Sequence, residues 1–316
     1  MLGCWLAAIA SRPKVGLVLG GGGAKGAAEV GVLKVIEQAG IPIDYIAGTS
    51  IGSIVGGLYA AGYTASELDS LFCQQEWLSL LTDRRDDMGN EPYKVENGVT
   101  YIFGFPVMGS LNDGDIGGFG VINGSRVEQL IDSMARIKGC PNFEQLKIPF
   151  RCVAADFRSA EEVVLSEGRL SKAVRASMAI PGIFKPVNYN NLKLVDGGML
   201  NNLPIDVVKK MGADIIIAVD LQQADLQSTT SSEGNLDMLE GVAEMLGFGG
   251  LLRWVINRPD IAKYNENIKQ ATIYIKPPLP DLDASSFGNK NSARMIKIGE
   301  EEAIKHWKEL LKLKAQ

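Results

Sequence analysis

Three features are scarce in this chain of 316 residues, and each scarcity excludes a class of chemistry. There is a single histidine, His306, so any reaction that needs a histidine base or ligand has only that residue available. The four cysteines form no C-x-x-C pair, which argues against a zinc site and against a dense disulfide framework. No run of eighteen apolar residues occurs, so the sequence predicts no transmembrane helix.

The first ten residues are apolar, but the stretch is short and no basic region precedes it. It therefore makes a poor complete signal peptide. An alternative is that Leu2-Gly3-Cys4 ends a lipoprotein signal whose start is missing, which would place the protein in the cell envelope. We expect a frayed leader over residues 1–14 in a cytoplasmic or membrane-peripheral protein, and the export alternative stays open.

The overall composition is that of an ordinary globular protein, with 46% hydrophobic and 22% charged residues. The 32 basic and 37 acidic residues give a net charge of −5, so there is no basic footprint that would indicate a nucleic-acid partner. Glycine, by contrast, is abundant, with 36 residues, several of them in clusters. These clusters indicate turns between strands and helices.

The first part of the chain alternates between short apolar runs and helical patterns. Residues 14–19 form an apolar run that ends in four glycines, and apolar residues then recur at helical spacing over residues 27–39. A second apolar run, residues 45–49, leads into a second helical stretch over residues 51–61. This order of strand, turn and helix is a βαβα unit, which predicts a parallel sheet.

The rest of the chain predicts further elements of both kinds. The expected strands are 150–155, 192–195 and 214–219, and the expected helices are 124–137, 171–177, 204–211 and 294–314. Residues 82–123, rich in Gly, Asn and Asp, are expected to form a hairpin or loop excursion over one end of the sheet. Residues 222–235, rich in Gln, Ser and Thr, are expected to form a mobile linker.

A serine lies at the second junction between strand and helix. The nucleophile-elbow pattern G-x-S-x-G is fitted by Gly48, Thr49, Ser50, Ile51 and Gly52. Such a sharp turn exposes the serine hydroxyl, and the helix N-terminus offers amides to developing negative charge. The alternative is a glycine-rich turn with an N-capping serine. The strand and the helix on either side favour Ser50 as a nucleophile.

A serine nucleophile needs a base, and this sequence offers carboxylates rather than a histidine. His306 lies in a charged stretch that predicts a surface helix, which argues against a Ser-His-Asp triad. Asp196 follows an apolar strand and precedes Gly197 and Gly198, at the edge where a parallel sheet presents its site. The alternative is that Asp196 only caps a turn or the following helix.

Other residues compete with Asp196 for the role of base. Asp156 and Asp220 also follow predicted strands and are weaker candidates, whereas Asp214 precedes its strand. Lys25 could serve in a Ser-Lys arrangement, but its glycine neighbours predict a positively charged turn beside the first helix instead.

The first glycine-rich turn has two interpretations. The pattern G-x-G-x-x-G is fitted by Gly21, Gly22, Gly23, Ala24, Lys25 and Gly26. A dinucleotide-binding loop would need an acidic residue at the end of the next strand, and that strand ends at Gly48-Thr49-Ser50 instead. We therefore expect the loop to supply backbone N–H groups to the oxygen that becomes charged after serine attack.

Taken in order, these motifs resemble the patatin-like phospholipase family, which includes cytosolic phospholipase A2-like catalytic domains. The motifs are the loop 21–26, the elbow 48–52 and Asp196-Gly197-Gly198. The resemblance continues in residues 176–187 and in Asn201-Asn202-Leu203-Pro204, and it covers residues 15–221. It implies an α/β fold, a three-layer α/β/α sandwich with a mainly parallel central sheet, and a Ser-Asp dyad without histidine.

The resemblance also implies roles and an activity. Ser50 would be the nucleophile, Asp196 the base and the loop 21–26 the oxyanion hole. The implied reaction is hydrolysis of lipid carboxyl esters through an acyl-enzyme, of lipase or phospholipase A type, with no metal and no cofactor. The implied partners are a lipid or phospholipid substrate and, transiently, a membrane surface. Two alternatives stay open: a nucleotide-binding protein that uses the G-x-G-x-x-G loop, and a non-catalytic lipid-binding relative.

The last third of the chain is expected to be an extension, residues 222–316, packed on the same domain as the catalytic core. Within it, residues 238–256 are apolar and interrupted by Gly247, Gly249 and Gly250. This stretch suits a lid or a membrane-facing segment, but an ordinary core helix is slightly favoured. The C-terminal helix over residues 294–314 is expected to close the domain against the sheet.

Overall fold

The computed structural model describes most of the chain. The described residues are 12–81, 83, 93–96, 99–102, 105–106, 122–134, 142–181, 183–222, 259–282 and 284–314. The first eleven residues of the predicted leader, the apolar stretch 238–256 (expected to be a core helix, with a lid or membrane-facing segment as the alternative) and nearly all of the predicted linker lie outside these ranges.

The described helices and strands follow one another along the chain. In order, they are β1 (Val15–Leu19), α1 (Ala27–Ala39), β2 (Tyr45–Thr49), α2 (Ile51–Ala60), α3 (Ala65–Gln74), α4 (Trp77–Leu81), β3 (Tyr93–Glu96), β4 (Val99–Ile102), β5 (Phe105–Pro106), α5 (Ser125–Met134), β6 (Phe150–Asp156), β7 (Glu162–Leu165), α6 (Leu170–Ser177), β8 (Val187–Tyr189), β9 (Leu192–Asp196), α7 (Ile205–Met211), β10 (Ile215–Val219), α8 (Pro259–Ile268), β11 (Ile273–Ile275), α9 (Asn289–Lys305) and α10 (Trp307–Lys314). Short 3-10 helices cover Gly23–Gly26, Phe143–Gln145 and Gly197–Met199.

The central sheet is mainly parallel. Strands β11, β10, β1, β2 and β6 pair in this order, and every one of these pairs is parallel. Antiparallel strands extend the sheet from β6, because β7 and β9 both pair with β6 and β8 pairs with β9. Strands β3 to β5 form a separate antiparallel sheet within the predicted excursion at residues 82–123.

Helices cover both faces of the central sheet, because side chains along each strand alternate between two cores. On β1, Leu17 and Leu19 pack in a core with residues of α1, α2 and α9, whereas Val18 packs in a second core with α7 and α8. Strands buried on both faces are expected to be continuously apolar, as β1 and β10 are. The three-layer α/β/α arrangement is therefore confirmed.

Strand β6 brings two distant motifs together. Val153 pairs with both β2 and β7, so these two strands lie on opposite edges of β6. Ala154 pairs with both β7 and β9, so β9 lies on the same edge as β2. Strand β2 ends where Thr49 pairs with Val153, and β9 ends where Asp196 pairs with Ala154. The two strands thus meet end to end beside consecutive residues of β6.

This topology corrects the reason given for the position of Asp196. The preceding strand was expected to be parallel to its neighbours, and this was wrong, because β9 runs antiparallel to β6. Asp196 still reaches the carboxyl end of β2, since β9 occupies the later half of β6 and runs back toward β2.

The expectation of one C-terminal helix over residues 294–314 was also wrong. Helix α9 already begins at Asn289 and ends at Lys305, and α10 begins at Trp307. The break lies at His306, whose amide donates to the carbonyl oxygen of Ala303 at 3.0 Å, a tightened hydrogen bond of the 3-10 type. No described helix is long and apolar enough to cross a membrane.

Candidate active site

Ser50 occupies a strained turn between β2 and α2. Its backbone has φ 54° and ψ −122°, and a positive φ costs a residue other than glycine about 1–3 kcal/mol. Three hydrogen bonds hold this conformation. The carbonyl oxygen of Ser50 accepts from the amide of Ser53 at 2.9 Å and from its hydroxyl at 2.6 Å. The amide of Ser50 donates to Oγ of Ser177 at 3.0 Å.

The glycines of the G-x-S-x-G motif are required by close backbone contacts. A Cβ atom on Gly48 would lie 2.3 Å from the carbonyl oxygen of Gly52, and one on Gly52 would lie 2.4 Å from the carbonyl oxygen of Leu19. These are contacts with backbone, so rotation of a side chain cannot relieve them. The spacing of the motif therefore follows from a turn that closes on itself and packs against the end of β1.

The hydroxyl of Ser50 points at a carboxylate. Its Oγ donates to Oδ2 of Asp196 at 2.8 Å. The other oxygen of Asp196, Oδ1, accepts from the amide of Gly198 at 2.7 Å, which makes Asp196 the N-cap of the 3-10 turn Gly197–Met199. The turn-capping role and a role as base therefore use different oxygens of the same side chain. Ser50 is 8% exposed and Asp196 is 6% exposed.

The glycine-rich loop lies against this pair. A Cβ atom on Gly21 would be only 3.2 Å from Cβ of Ser50. The amide of Gly21 donates to the carbonyl oxygen of Asn202 at 3.1 Å, and Nδ2 of Asn202 donates back to the carbonyl oxygen of Gly21 at 3.0 Å. Among the described residues, the amides of Gly22 and Gly23 have no acceptor. Free backbone donors beside a serine are what an oxyanion hole requires.

The far side of the loop is tied to other segments of the chain. The amide of Ala24 donates to the carbonyl oxygen of Ala284 at 2.9 Å, and Nζ of Lys25 donates to the carbonyl oxygen of Leu221 at 2.6 Å. Gly26 packs on Ile51, the first residue of α2. The loop is therefore held at both ends, while the amides of its middle glycines have no acceptor within the part of the chain that the structure describes.

A family model described as patatin-like phospholipase matches residues 17–209, more than half of the chain. The chain belongs to the patatin-like phospholipase family. The matched span contains all three motifs from which the resemblance was drawn.

Relatives of this patatin-like chain come from bacteria, yeast and animals. An NTE family protein of Mycobacterium bovis is 34% identical over 226 residues, which cover 72% of this chain and 54% of that protein. Patatin-like phospholipase domain-containing protein 6 of Homo sapiens is 30% identical, over 90% of this chain and 20% of that protein. Lysophospholipase NTE1 of Debaryomyces hansenii is 32% identical, over 89% of this chain and 17% of that protein. This chain spans about half the length of the mycobacterial relative, and less of the other two.

The fold has a counterpart among solved structures. VipD from Legionella pneumophila superposes with a TM-score of 0.51 at 13% sequence identity, covering 95% of this chain and 67% of that chain. At this identity, the likeness bears on the fold alone.

Burial makes Asp196 of this patatin-like site a stronger base than an exposed aspartate. Removal from water raises the pKa of Asp196 to about 6. The amide of Gly198, the hydroxyl of Ser50 and the positive charge of Arg175 act in the opposite direction. A carboxyl group with a pKa near neutrality remains ionised at pH 7 and still binds a proton readily during a reaction.

Arg175 is a charged residue near the site, and it was not among the predicted site residues. Its side chain is 0% exposed and lies over the ring of Phe184, with 4.6 Å between the guanidinium carbon and the ring centroid. It donates to the carbonyl oxygens of Asn123 at 2.8 Å, Lys185 at 3.1 Å and Ile122 at 3.4 Å. Arg175 thus joins the segment before α5 to the loop after α6.

The weaker candidates for the base have other partners. Asp156 accepts from the hydroxyl of Ser159 at 3.0 Å and from its amide at 3.3 Å. Asp220 accepts from the hydroxyls of Tyr264 and Tyr274. Asp214 accepts from the amide of Lys14 at 2.8 Å, at the start of its strand.

Two other residues weighed as bases also have partners other than Ser50. The ring Nδ1 of His306 is 3.0 Å from a carboxylate oxygen of Glu309 on the C-terminal helix pair. Lys25 is engaged by Leu221. Of the carboxylates weighed from the sequence, Asp196 is the one hydrogen-bonded to Ser50.

Proposed function

We propose that this chain is a serine acyl hydrolase that cleaves carboxyl esters of lipids, with Ser50 as nucleophile and Asp196 as base. The observation that carries the proposal is the 2.8 Å hydrogen bond from Ser50 Oγ to Asp196 Oδ2 at a strained strand-to-helix turn. Relatives named lysophospholipase and patatin-like phospholipase support a lipid ester as the substrate.

In the first half of the proposed reaction, Asp196 Oδ2 takes the proton of Ser50 Oγ while that oxygen attacks the ester carbonyl. The carbonyl oxygen becomes negatively charged in the tetrahedral intermediate. The free amides of Gly22 and Gly23 would donate to this oxygen, and the N-terminus of α2 would add its positive dipole end. The intermediate then expels the alcohol, which takes the proton from Asp196, and an acyl-Ser50 ester remains.

In the second half, water takes the position that the alcohol has left. Asp196 accepts a proton from this water, and the resulting hydroxide attacks the acyl-Ser50 carbonyl. The same amides would hold the oxyanion again. Collapse of the second intermediate releases the fatty acid, and Oγ of Ser50 recovers its proton from Asp196. One carboxylate thus serves both steps.

We also propose a transient contact between this site and a lipid surface. The carbonyl oxygen of Ala179 accepts from the amide of Asp196 at 3.0 Å, and the loop that follows Ala179 carries Ile180 and Ile183. These isoleucines are 39% and 47% exposed. Large apolar side chains exposed beside a lipid-ester site favour contact with acyl chains.

We further propose that residues 222–316 extend the catalytic core, residues 15–221, within one domain. Strand β11 pairs with β10 of the core, from Ile217 opposite Ile273 to Val219 opposite Ile275. Met295 and Ile296 of α9 are buried in the same core as Leu17 of β1. Both contacts support a single folding unit.

The dyad is tested with conservative substitutions. Ser50→Ala and Asp196→Asn are expected to abolish hydrolysis of a short-chain nitrophenyl ester, and Ser50→Ala to abolish labelling by a fluorophosphonate probe. Asp156→Asn is the matched control, because Asp156 also ends a strand but has other partners. It should retain wild-type turnover. Normal turnover by either dyad variant would refute the proposal.

The substrate class needs a separate experiment. Purified protein is incubated with vesicles containing phospholipid, lysophospholipid or triacylglycerol, and released fatty acid is measured by mass spectrometry against the Ser50→Ala variant. Release that depends on Ser50 supports the proposal and identifies the preferred lipid. Labelling of Ser50 without release from any of these lipids would favour the non-catalytic alternative. A melting temperature raised by nucleotide, without labelling, would favour the nucleotide-binding alternative.

A further inference from the structure

Ser177 forms a hydrogen-bonded bridge behind the nucleophile. It is the last residue of α6 and is 0% exposed. Its Oγ donates to the carbonyl oxygen of Val153 at 2.5 Å and accepts from the amide of Ser50 at 3.0 Å. Thr49, immediately before Ser50, pairs with Val153 in the sheet. The hydroxyl therefore joins β2 to β6 at the point where their ladder ends.

The bridge satisfies groups that the strands leave unpaired. Strand pairing between β2 and β6 stops at Thr49, and the next residue of β6, Ala154, pairs with Asp196 instead. The amide of Ser50 is thus beyond the ladder and is buried, where an unpaired donor is unfavourable. Ser177 supplies the acceptor.

The same short segment also holds the other member of the dyad. Two residues after Ser177, the carbonyl oxygen of Ala179 accepts from the amide of Asp196 at 3.0 Å. The end of α6 therefore fixes the backbone of both Ser50 and Asp196 through separate hydrogen bonds. A shift at this helix end would change the distance between the two reacting side chains.

We infer that Ser177 is a positioning residue for the reaction: its hydroxyl holds the Ser50 amide and so fixes the strained backbone that aims Oγ at Asp196. The inference rests on the proposed function of Ser50 and Asp196. It assigns a role to one residue of the segment 176–187, whose sequence indicated only the family resemblance. Ser177 itself touches the backbone of the nucleophile rather than the reacting atoms.

The chain offers a matched control on the same helix. Ser171 is 1% exposed, and its hydroxyl has no hydrogen-bond partner among the described residues. Ser171→Ala and Ser177→Ala therefore delete the same atom from the same buried helix, but only Ser177→Ala deletes an acceptor for Ser50.

The experiment separates positioning from folding. For a nitrophenyl ester, Ser177→Ala is expected to lower kcat roughly 10- to 100-fold with KM unchanged, because displacement of a nucleophile by about 1 Å has effects of this size. The rate of fluorophosphonate labelling at Ser50 should fall by the same factor. Ser171→Ala should leave kcat and the labelling rate at their wild-type values. Melting curves confirm that each variant is folded at the assay temperature.

Wild-type kcat and labelling rate in folded Ser177→Ala would overturn the inference, as would equal losses in Ser171→Ala. If Ser177→Ala does not fold, Ser177→Cys decides, because it keeps the side-chain size but offers only a weak sulfur acceptor. A reduced kcat at unchanged melting temperature then supports the inference, and a wild-type kcat overturns it. Wild-type protein that neither turns over nor labels overturns the proposed function, and the inference with it.

Discussion

Oγ of Ser50 and Oδ2 of Asp196 lie 2.8 Å apart, although 146 residues separate them in the chain. Strand β6 explains the contact, because β2 and β9 end against its consecutive residues Val153 and Ala154. Each strand then needs only a tight turn to present its side chain. At the second turn, a Cβ atom on Gly197 would lie 2.1 Å from the carbonyl oxygen of Val153, so glycine is required there.

The first prediction concerns the pH dependence of turnover. Asp196 must be ionised to accept the proton of Ser50, and burial raises its pKa to about 6. We therefore expect kcat/KM for a neutral nitrophenyl ester to be constant near pH 7–8 and to fall tenfold per unit below about pH 6. The measurement is a pH series corrected for spontaneous hydrolysis. A profile that stays flat down to about pH 4 would show that a carboxyl group of ordinary pKa is the base.

The second prediction is that Asp196→Asn stabilises the fold while it abolishes activity. An aspartate has a pKa of about 3.9 in the unfolded chain, whereas that of Asp196 in the folded protein is about 6. Between these values the folded state holds a proton that the unfolded state has released, so stability falls as pH rises. Above about pH 6 the free energy of unfolding falls no further. The difference between the two pKa values of Asp196 corresponds to about 3 kcal/mol of lost stability.

Asparagine avoids the cost of the buried charge and can still accept from the amide of Gly198 and donate to Ser50. Urea unfolding at about pH 7 should therefore give the variant a free energy of unfolding roughly 1–3 kcal/mol above wild type. The difference in stability should shrink at about pH 4, where Asp196 in the folded protein is protonated and therefore as neutral as the asparagine of the variant. Equal stability at both pH values would contradict a destabilised carboxylate in the folded protein.

Local patterns in the sequence predicted the first βαβα unit and both members of the candidate dyad. This part was accessible because the strand, the glycine turn and the helix are contiguous in sequence, and each leaves a periodic pattern. The direction of β9 was not accessible in this way. An aspartate after a short apolar strand looks the same whether the strand is parallel or antiparallel, and its pairing with β6 depends on contacts between distant residues.

Other features left no local signal. Strands β7, β8 and β11 have only three or four residues each, too few to show a clear alternation. Ser171 and Ser177 both read as small residues of one helix, yet only Ser177 reaches Ser50. Similarly, the sequence pattern predicts only that Arg175 lies in a helix. Its burial depends on a contact outside that helix, with the ring of Phe184.

The third prediction concerns the crowded elbow. Gly48→Ala would place Cβ 2.3 Å from the carbonyl oxygen of Gly52, so the turn at Ser50 must open. We expect a loss of about 3 kcal/mol in the free energy of unfolding, with loss of turnover. Gly57→Ala is the matched control within α2, because its Cβ would meet only side-chain carbons at 3.5 Å.

In the control, alanine gains about 1 kcal/mol of helix propensity over glycine, so Gly57→Ala should be as stable as wild type or more stable. Urea unfolding and ester turnover are measured for both variants. Similar losses in Gly48→Ala and Gly57→Ala would mean that β2 and α2 both reject any added methyl group, and that the elbow is no more crowded than the rest.

The fourth prediction concerns the charge of Arg175, which lowers the pKa of Asp196. Arg175→Met removes the charge and keeps an unbranched apolar side chain, so the pKa of Asp196 should rise. The low-pH fall of kcat/KM should then move to higher pH, so turnover should decrease more near pH 6 than near pH 8.

The control is Arg169→Met, since Arg169 precedes the same helix and pairs with Asp132 while 59% exposed. An exposed pair of this kind contributes at most about 1 kcal/mol to stability, and Arg169 is not among the groups that act on Asp196. The kcat/KM of Arg169→Met should therefore fall at the same low pH as that of the wild type. Melting curves for both variants separate a pKa effect from unfolding, because unfolding lowers kcat/KM at every pH. A uniform loss in Arg175→Met, with the low-pH fall unmoved, would mean that Arg175 acts only by tying Asn123 and Lys185 together.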